Sequence, residues 1–186
     1  ILRKEILLSI RILSQFLNWR FVSEVKRASK TNKLELINSG IIARILGLCN
    51  DEDDEIAIMA TVACELYHDV NGFDWVGFYR VVEPGLLKIG PYQGRHGCLV
   101  IPFARGVCGA AARDQKIIIV NDVKKFDGHI ACSDSTQSEL VIPCFGRDGE
   151  LLGVLDIDSD QPAFFTQQDA DDLDQLMRKL FVGDIN

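Results

Sequence analysis

Six cysteines, at positions 49, 64, 98, 108, 132 and 144, are the strongest nucleophiles this 186-residue chain offers. None forms a CxxC pair, which argues against a zinc ribbon and a thioredoxin-type motif. Cys132 lies in a polar, glycine-containing loop, Phe126-Asp127-Gly128-His129-Ile130-Ala131-Cys132-Ser133-Asp134-Ser135, which leads through Ser138 into a strand opening at Glu139. Acidic neighbours raise the pKa of such a thiol unless loop N–H groups offset them. Cys108 follows a glycine turn, Gly106-Val107-Cys108-Gly109, that enters a short helix, and a helix N-terminus lowers a thiol pKa. Local reasoning therefore favours Cys108 as the reactive thiol. Cys49 and Cys64, on helical segments, and Cys144, on the apolar face of a strand, read as buried and inert. A zinc site drawing on His96 or His129 matches no compact ligand spacing, so no metal is expected. No nucleophile-elbow signature supports a Cys-His hydrolase.

The second chemical feature is a set of carboxylates. Two apolar runs, Glu139–Phe145 and Glu150–Asp158, flank Arg147-Asp148-Gly149, and Asp-Gly between strands is a strong hairpin signal. A two-residue turn at Asp148-Gly149 pairs Arg147 with Glu150. Continuing the register sets Glu139 opposite Asp158 and Val141 opposite Asp156. Side chains alternate with period two, so Glu139, Asp156 and Asp158 share one face, while Leu140, Ile142, Cys144, Leu155 and Ile157 form a core stripe on the other. Three clustered carboxylates repel, which raises at least one pKa unless a cation sits among them. Such a cluster suits an amine ligand or a general acid near neutral pH.

The elements that must carry these groups follow from periodicity. Apolar residues recur at helical steps from Arg3 to about Ser29 and again over Leu34–Cys49. The acidic stretch 50–54 opens a third helix that runs to about His68. Strands follow at Phe73–Val82, Leu86–Tyr92, Leu99–Pro102 and Lys116–Val120, then the hairpin. Thr166 caps a closing helix ending near Val182, with Asp169 where a capping box prefers Glu or Gln. The order is α+β, in one domain with an N-terminal helical extension at 1–50 and the main unit at 51–186. Net charge is −7, and residues 1–35 carry a local +5 against −12 for the remainder. That balance disfavours nucleic-acid binding by the whole chain. No run of about 18 uncharged apolar residues exists to span a bilayer.

Several motifs together resemble one family. They are Asp74-Trp75-Val76-Gly77-Phe78-Tyr79, Gly90-Pro91-Tyr92-Gln93-Gly94, Cys98, Arg105-Gly106-Val107-Cys108-Gly109, the Phe126–Cys132 loop, Ser138-Glu139 and Gly153–Ser159. The chain is similar here to the free methionine-R-sulfoxide reductases, which are single GAF domains, over about residues 55–182. The resemblance implies a GAF-like six-stranded antiparallel sheet flanked by helices. It implies reduction of free methionine-R-sulfoxide with no bound cofactor. It moves the nucleophile to Cys132, with Cys98 as resolving cysteine and Cys108 as a second recycling thiol. Trp75 and Tyr79 would hold the substrate's methyl end. Glu139, Asp156 and Asp158 would surround its amine and sulfoxide, and backbone N–H groups near Ala131 and Ser133 would bind its carboxylate or oxygen. Thioredoxin would restore the thiols in a cytoplasmic setting. Residues 1–50 exceed what the family needs, and a homodimer interface is the expectation for them. The competing reading is a non-catalytic GAF sensor that signals through its N-terminal helix.

Overall fold

The structure is a computed structural model and describes residues 39–128 and 135–183. The helix expected over Arg3–Ser29 lies outside the described residues. Helix α1 covers Ser39–Leu48 and α2 covers Glu55–Asp69. Asp54 starts α2 by accepting hydrogen bonds from the N–H groups of Ile56 and Ala57, satisfying donors that have no partner within the helix. Strands β1 (Trp75–Glu83), β2 (Leu86–Gln93) and β3 (Val100–Pro102) form an antiparallel meander. Helix α3 (Gly106–Asp114), β4 (Ile118–Val120) and a 3-10 turn at Val123–Lys125 precede the hairpin β5 (Ser138–Phe145) and β6 (Leu151–Ser159). Helix α4 (Gln167–Phe181) closes the chain. Its capping box forms with Asp169 in the Glu/Gln position: Thr166 and Asp169 exchange hydrogen bonds.

The six strands make one antiparallel sheet in the order β3-β2-β1-β6-β5-β4. β6 therefore lies between β1 and β5, which sets the site. Trp75 pairs with Asp158, and Gly77 with Asp156. Glu139 pairs with Asp158 and Val141 with Asp156, as the hairpin arithmetic requires.

The premise of that arithmetic is corrected at the turn. Gly146 N–H donates to Glu150 O at 2.9 Å and Gly149 N–H to Gly146 O at 3.0 Å. The loop thus has three residues, with Gly149 at φ +80°, the arrangement of a type I turn ending in a left-handed glycine. Phe145 pairs with Leu151 but Cys144 with Gly153. The extra residue at Leu152 is a bulge that restores the register the longer loop had offset.

One face of the sheet packs against α1, α2 and α4. Val76, Phe78, Leu140, Ile142, Cys144, Leu155 and Ile157 meet Ile45, Val62, Leu66 and Leu173 there, all fully buried. Each such aliphatic side chain contributes roughly 1.5–3 kcal/mol by leaving water. Arg44 ties α1 to α2 through Glu65, at 2.6 Å, and Asp69. The other face carries Trp75, Tyr79, Val141 and Val154, and is covered by Val107, Cys108, Ala111 and Ala112 of α3.

Candidate active site

The carboxylates sit on this second face. Glu139 and Asp156 are each only 6% exposed, and Asp158 is partly buried. Burial pushes Asp156 up to about 6, while hydrogen bonds with Cys108 and Glu139 pull it back. Burial, then the charges of Asp156 and Asp158, hold Glu139 well above the usual carboxylate range. Burial, then the charges of Asp156, Asp160 and Asp74, raise Asp158 in the same direction. Taking charge out of water costs far more than taking a neutral acid. Glu139 and Asp158 are therefore biased toward the protonated form near neutral pH, Asp156 less so, and neighbours this close titrate together. Asp156 Oδ1 is buried with no hydrogen-bond partner.

Cys108 joins this cluster. Its thiol donates to Glu139 Oε1 at 3.8 Å, and its side chain is 3% exposed. Burial first, then the charges of Asp156 and Glu139, raise its pKa well above the ordinary thiol value. The expectation of a thiol activated by a helix N-terminus is thereby overturned. The dipole is a surface-strength effect, and desolvation beside two carboxylates outweighs it. Among the described residues, Cys108, Glu139 and Asp156 are the group whose donor atoms, within 4.8 Å of one another, approach metal-ligand spacing.

Trp75 and Tyr79 stand beside the acids because β1 is the neighbour of β6. Their rings stack at 5.9 Å with 24° between planes. Trp75 Nε1–H donates to Arg95 O at 2.8 Å. Tyr79 is 1% exposed, and burial followed by the charge of Asp156 raises its phenol pKa, so it stays protonated. These residues line a cavity of about 510 Å³ that includes Asp156, Asp158, the 94–97 loop and Ser135-Thr136. That volume is in the range of small-molecule pockets.

Cys98 follows this loop, is partly buried, and is disulfide-bonded. Cys49, Cys64, Cys108 and Cys144 are free thiols. Cys144 and Cys49 are buried as expected, and burial pushes their thiols up to about 12 and about 11. Cys64 is only half-buried. Cys132, Ala131 and Ser133 lie outside the described residues.

Sequence reasoning missed Asp74, Asp160, Tyr67 and Thr136, which also line the cavity. Asp74 accepts a hydrogen bond from Asp160 N–H at 2.8 Å. Both residues flank motif strands, but their position at the mouth emerges only when β1 and β6 pair.

The GAF domain model matches residues 51–180. The free methionine-R-sulfoxide reductase of Escherichia coli (strain K12) is 40% identical over 129 residues, covering 69% of this chain and 77% of its own. The free methionine-R-sulfoxide reductase of Saccharomyces cerevisiae is 34% identical over 163 residues, covering 83% of this chain and 88% of its own. An X-ray structure of the free methionine-R-sulfoxide reductase from Neisseria meningitidis with its substrate superposes with a TM-score of 0.74 at 37% identity, over 82% of this chain and 90% of that one. Among the described residues no helix is long and apolar enough to cross a membrane. With a six-stranded antiparallel sheet between helices and relatives of this closeness, the chain belongs to the GAF-domain family, in the branch of the free methionine-R-sulfoxide reductases.

Proposed function

We propose that this chain reduces free L-methionine-(R)-sulfoxide to methionine. The observation that carries the reading is a cavity walled by Trp75 and Tyr79 and lined by Asp156 and Asp158, with Glu139 buried on the neighbouring strand and all three carboxyls raised above the usual range, next to the disulfide-bonded Cys98. A group of clustered carboxylates suits an ammonium group, and a partly protonated one also has a proton to give. The aromatic wall suits a thioether methyl. A ligand whose amine must reach buried carboxylates is a free amino acid rather than a residue within a polypeptide.

In this mechanism the Cys132 thiolate attacks the sulfoxide sulfur. An acid of the cluster protonates the sulfoxide oxygen, which passes to the Cys132 sulfur as the substrate's sulfur–oxygen bond and the transient sulfur–sulfur bond break. The substrate sulfur gains two electrons and leaves as a thioether. Cys132 loses two and becomes a sulfenic acid. The Cys98 thiol then attacks the Cys132 sulfur, releasing water and forming a disulfide. Thioredoxin returns both thiols by exchange, with Cys108 as a second recycling thiol. Backbone N–H groups near Ala131 and Ser133 bind the substrate carboxylate or oxygen. No bound cofactor is needed, since sulfur carries the electrons. A reducing cytoplasm suits this cycle.

The test is thioredoxin-coupled NADPH oxidation with free methionine-R-sulfoxide. Turnover is expected with the wild type and none with Cys132→Ser. Cys98→Ser releases a first stoichiometric equivalent of methionine and then recycles slowly. A folded, fully reduced wild type that releases no methionine overturns the reading and leaves the sensor alternative.

A further inference from the structure

We propose that Tyr92 is a positioning residue for Trp75 and that, through it, Tyr92 sets which alkyl group on the sulfoxide sulfur the cavity accepts. The proposal rests on the reductase reading above. Tyr92 of β2 pairs with Gly77 of β1, and Gly77 pairs in turn with Asp156 of β6. Tyr92, Gly77 and Asp156 thus form one row across the sheet, on the face of the site.

Gly77 makes the arrangement work. A Cβ there would lie 2.4 Å from Tyr92 Cβ and 2.5 Å from Trp75 Cη2. The Trp75 ring and the root of the Tyr92 side chain therefore close over the space the glycine leaves. They stack at 5.5 Å with 17° between planes. Trp75 is then held three ways: by Tyr92, by Tyr79, and by its hydrogen bond to Arg95 O.

Trp75 and Tyr79 line the cavity and Tyr92 does not, so Tyr92 acts on a ligand only through the indole. Between the two lining rings the wall is a glycine. A Cβ at Gly97 would meet Tyr79 OH at 2.9 Å and Trp75 Cζ2 at 3.1 Å. The space for the group on sulfur is therefore set by where the rings lie. Without Tyr92, nothing at Gly77 keeps the indole from tilting away from Tyr79, and the slot widens.

The test uses the full chain with methionine-R-sulfoxide and its S-ethyl homologue, each in single turnovers without thioredoxin. One extra methylene in an apolar slot is discriminated by roughly tenfold or more, and wild type should prefer S-methyl by that order. Tyr92→Phe keeps the ring and should match wild type. Tyr92→Ala should raise the half-saturating S-methyl concentration about 3- to 10-fold, change the saturating rate by less than about twofold, and collapse the methyl/ethyl preference. Tyr92→Leu keeps bulk without a stacking ring, should behave like Tyr92→Ala, and serves if that variant fails to fold. A merely structural role would lower the active fraction for both substrates alike. Unchanged saturation and preference in Tyr92→Ala or Tyr92→Leu overturns the proposal. If wild type reduces neither sulfoxide, the reductase reading fails separately. The stack is then judged in a Trp19→Phe background, which leaves Trp75 as the sole tryptophan of two. Tyr92→Ala must there shift Trp75 emission and raise its quenching by acrylamide, and unchanged emission overturns the positioning role.

Discussion

At the scale of single residues the site works by desolvation. Burial, with the charges of Asp156 and its neighbours, raises Cys108, Glu139 and Asp158, while hydrogen bonds from Cys108 and Glu139 only partly offset the burial of Asp156. A thiolate is the reactive form of cysteine, so Cys108 is held unreactive until something changes around it. A short pulse of iodoacetamide on the native, disulfide-containing protein should label the half-buried Cys64 before Cys49, Cys108 and Cys144, as read by peptide mass mapping. Early labelling of Cys108 would mean that the cluster does not suppress its ionisation. The proton on Glu139 is the counterpart. Glu139→Gln keeps shape but cannot supply that proton, so methionine release in the first turnover should slow by about 10²- to 10⁴-fold. Substrate binding should weaken far less.

At the scale of elements, the hairpin β5–β6 and its pairing with β1 decide which residues meet. Two glycines there should respond differently to substitution. Gly149, in the loop at φ +80°, has open space around a would-be Cβ, so Gly149→Ala should cost only about 1 kcal/mol of backbone strain. At Gly153 a Cβ would lie 2.2 Å from Tyr79 O. Gly153→Ala must therefore separate β6 from β1, and should cost about 3 kcal/mol or more. Urea midpoints for the two variants check the order. A Gly153→Ala protein as stable as Gly149→Ala would show that β1 does not run so close. The register of this hairpin was legible because strand alternation leaves few ways to bury Leu140, Ile142, Leu155 and Ile157 together. The turn was not. A three-residue loop and a bulge at Leu152 cancel, and neither leaves a mark on the alternation beyond them. Cys108 was misjudged for a related reason. Its helix start is visible locally, whereas Glu139, which lies against it, arrives from 31 residues away. Trp75 and Tyr79 look like any aromatic pair on a strand. Pattern alone does not separate a cavity wall from core packing, and only the resemblance did so. Asp74 and Asp160 joined the site through β1–β6 pairing and the 94–97 loop through β1–β2 pairing, which periodicity does not encode.

For the whole molecule, the acid cluster sets how stability follows pH. A carboxylate whose pKa is raised by folding binds its proton more tightly in the folded chain than in the unfolded one. Its contribution is complete below the unfolded value and is lost as pH rises through the folded value. For Asp156 that window runs from 3.8 to about 6, with a loss on the order of 3 kcal/mol. Glu139 and Asp158, raised further, extend the decline upward. Asp114 and Asp122 are lowered by hydrogen bonds to Arg113 and Lys125 and act in the opposite sense, but they are exposed and screened, so they weigh little. The net charge of −7 at pH 7 adds self-repulsion on the same alkaline side. The Tm of the reduced protein should therefore fall as pH is raised from about 4.5 to about 8. Asp156→Asn should flatten that slope and raise Tm at the alkaline end, since an amide is neutral at every pH. Saturating free methionine should restore Tm most at about pH 8, because its ammonium group then meets ionised carboxylates; methionine with a blocked amine should not. A Tm that rises across this range would mean that a cation already sits among Glu139, Asp156 and Asp158, and the cluster would then be neither an amine site nor a proton store.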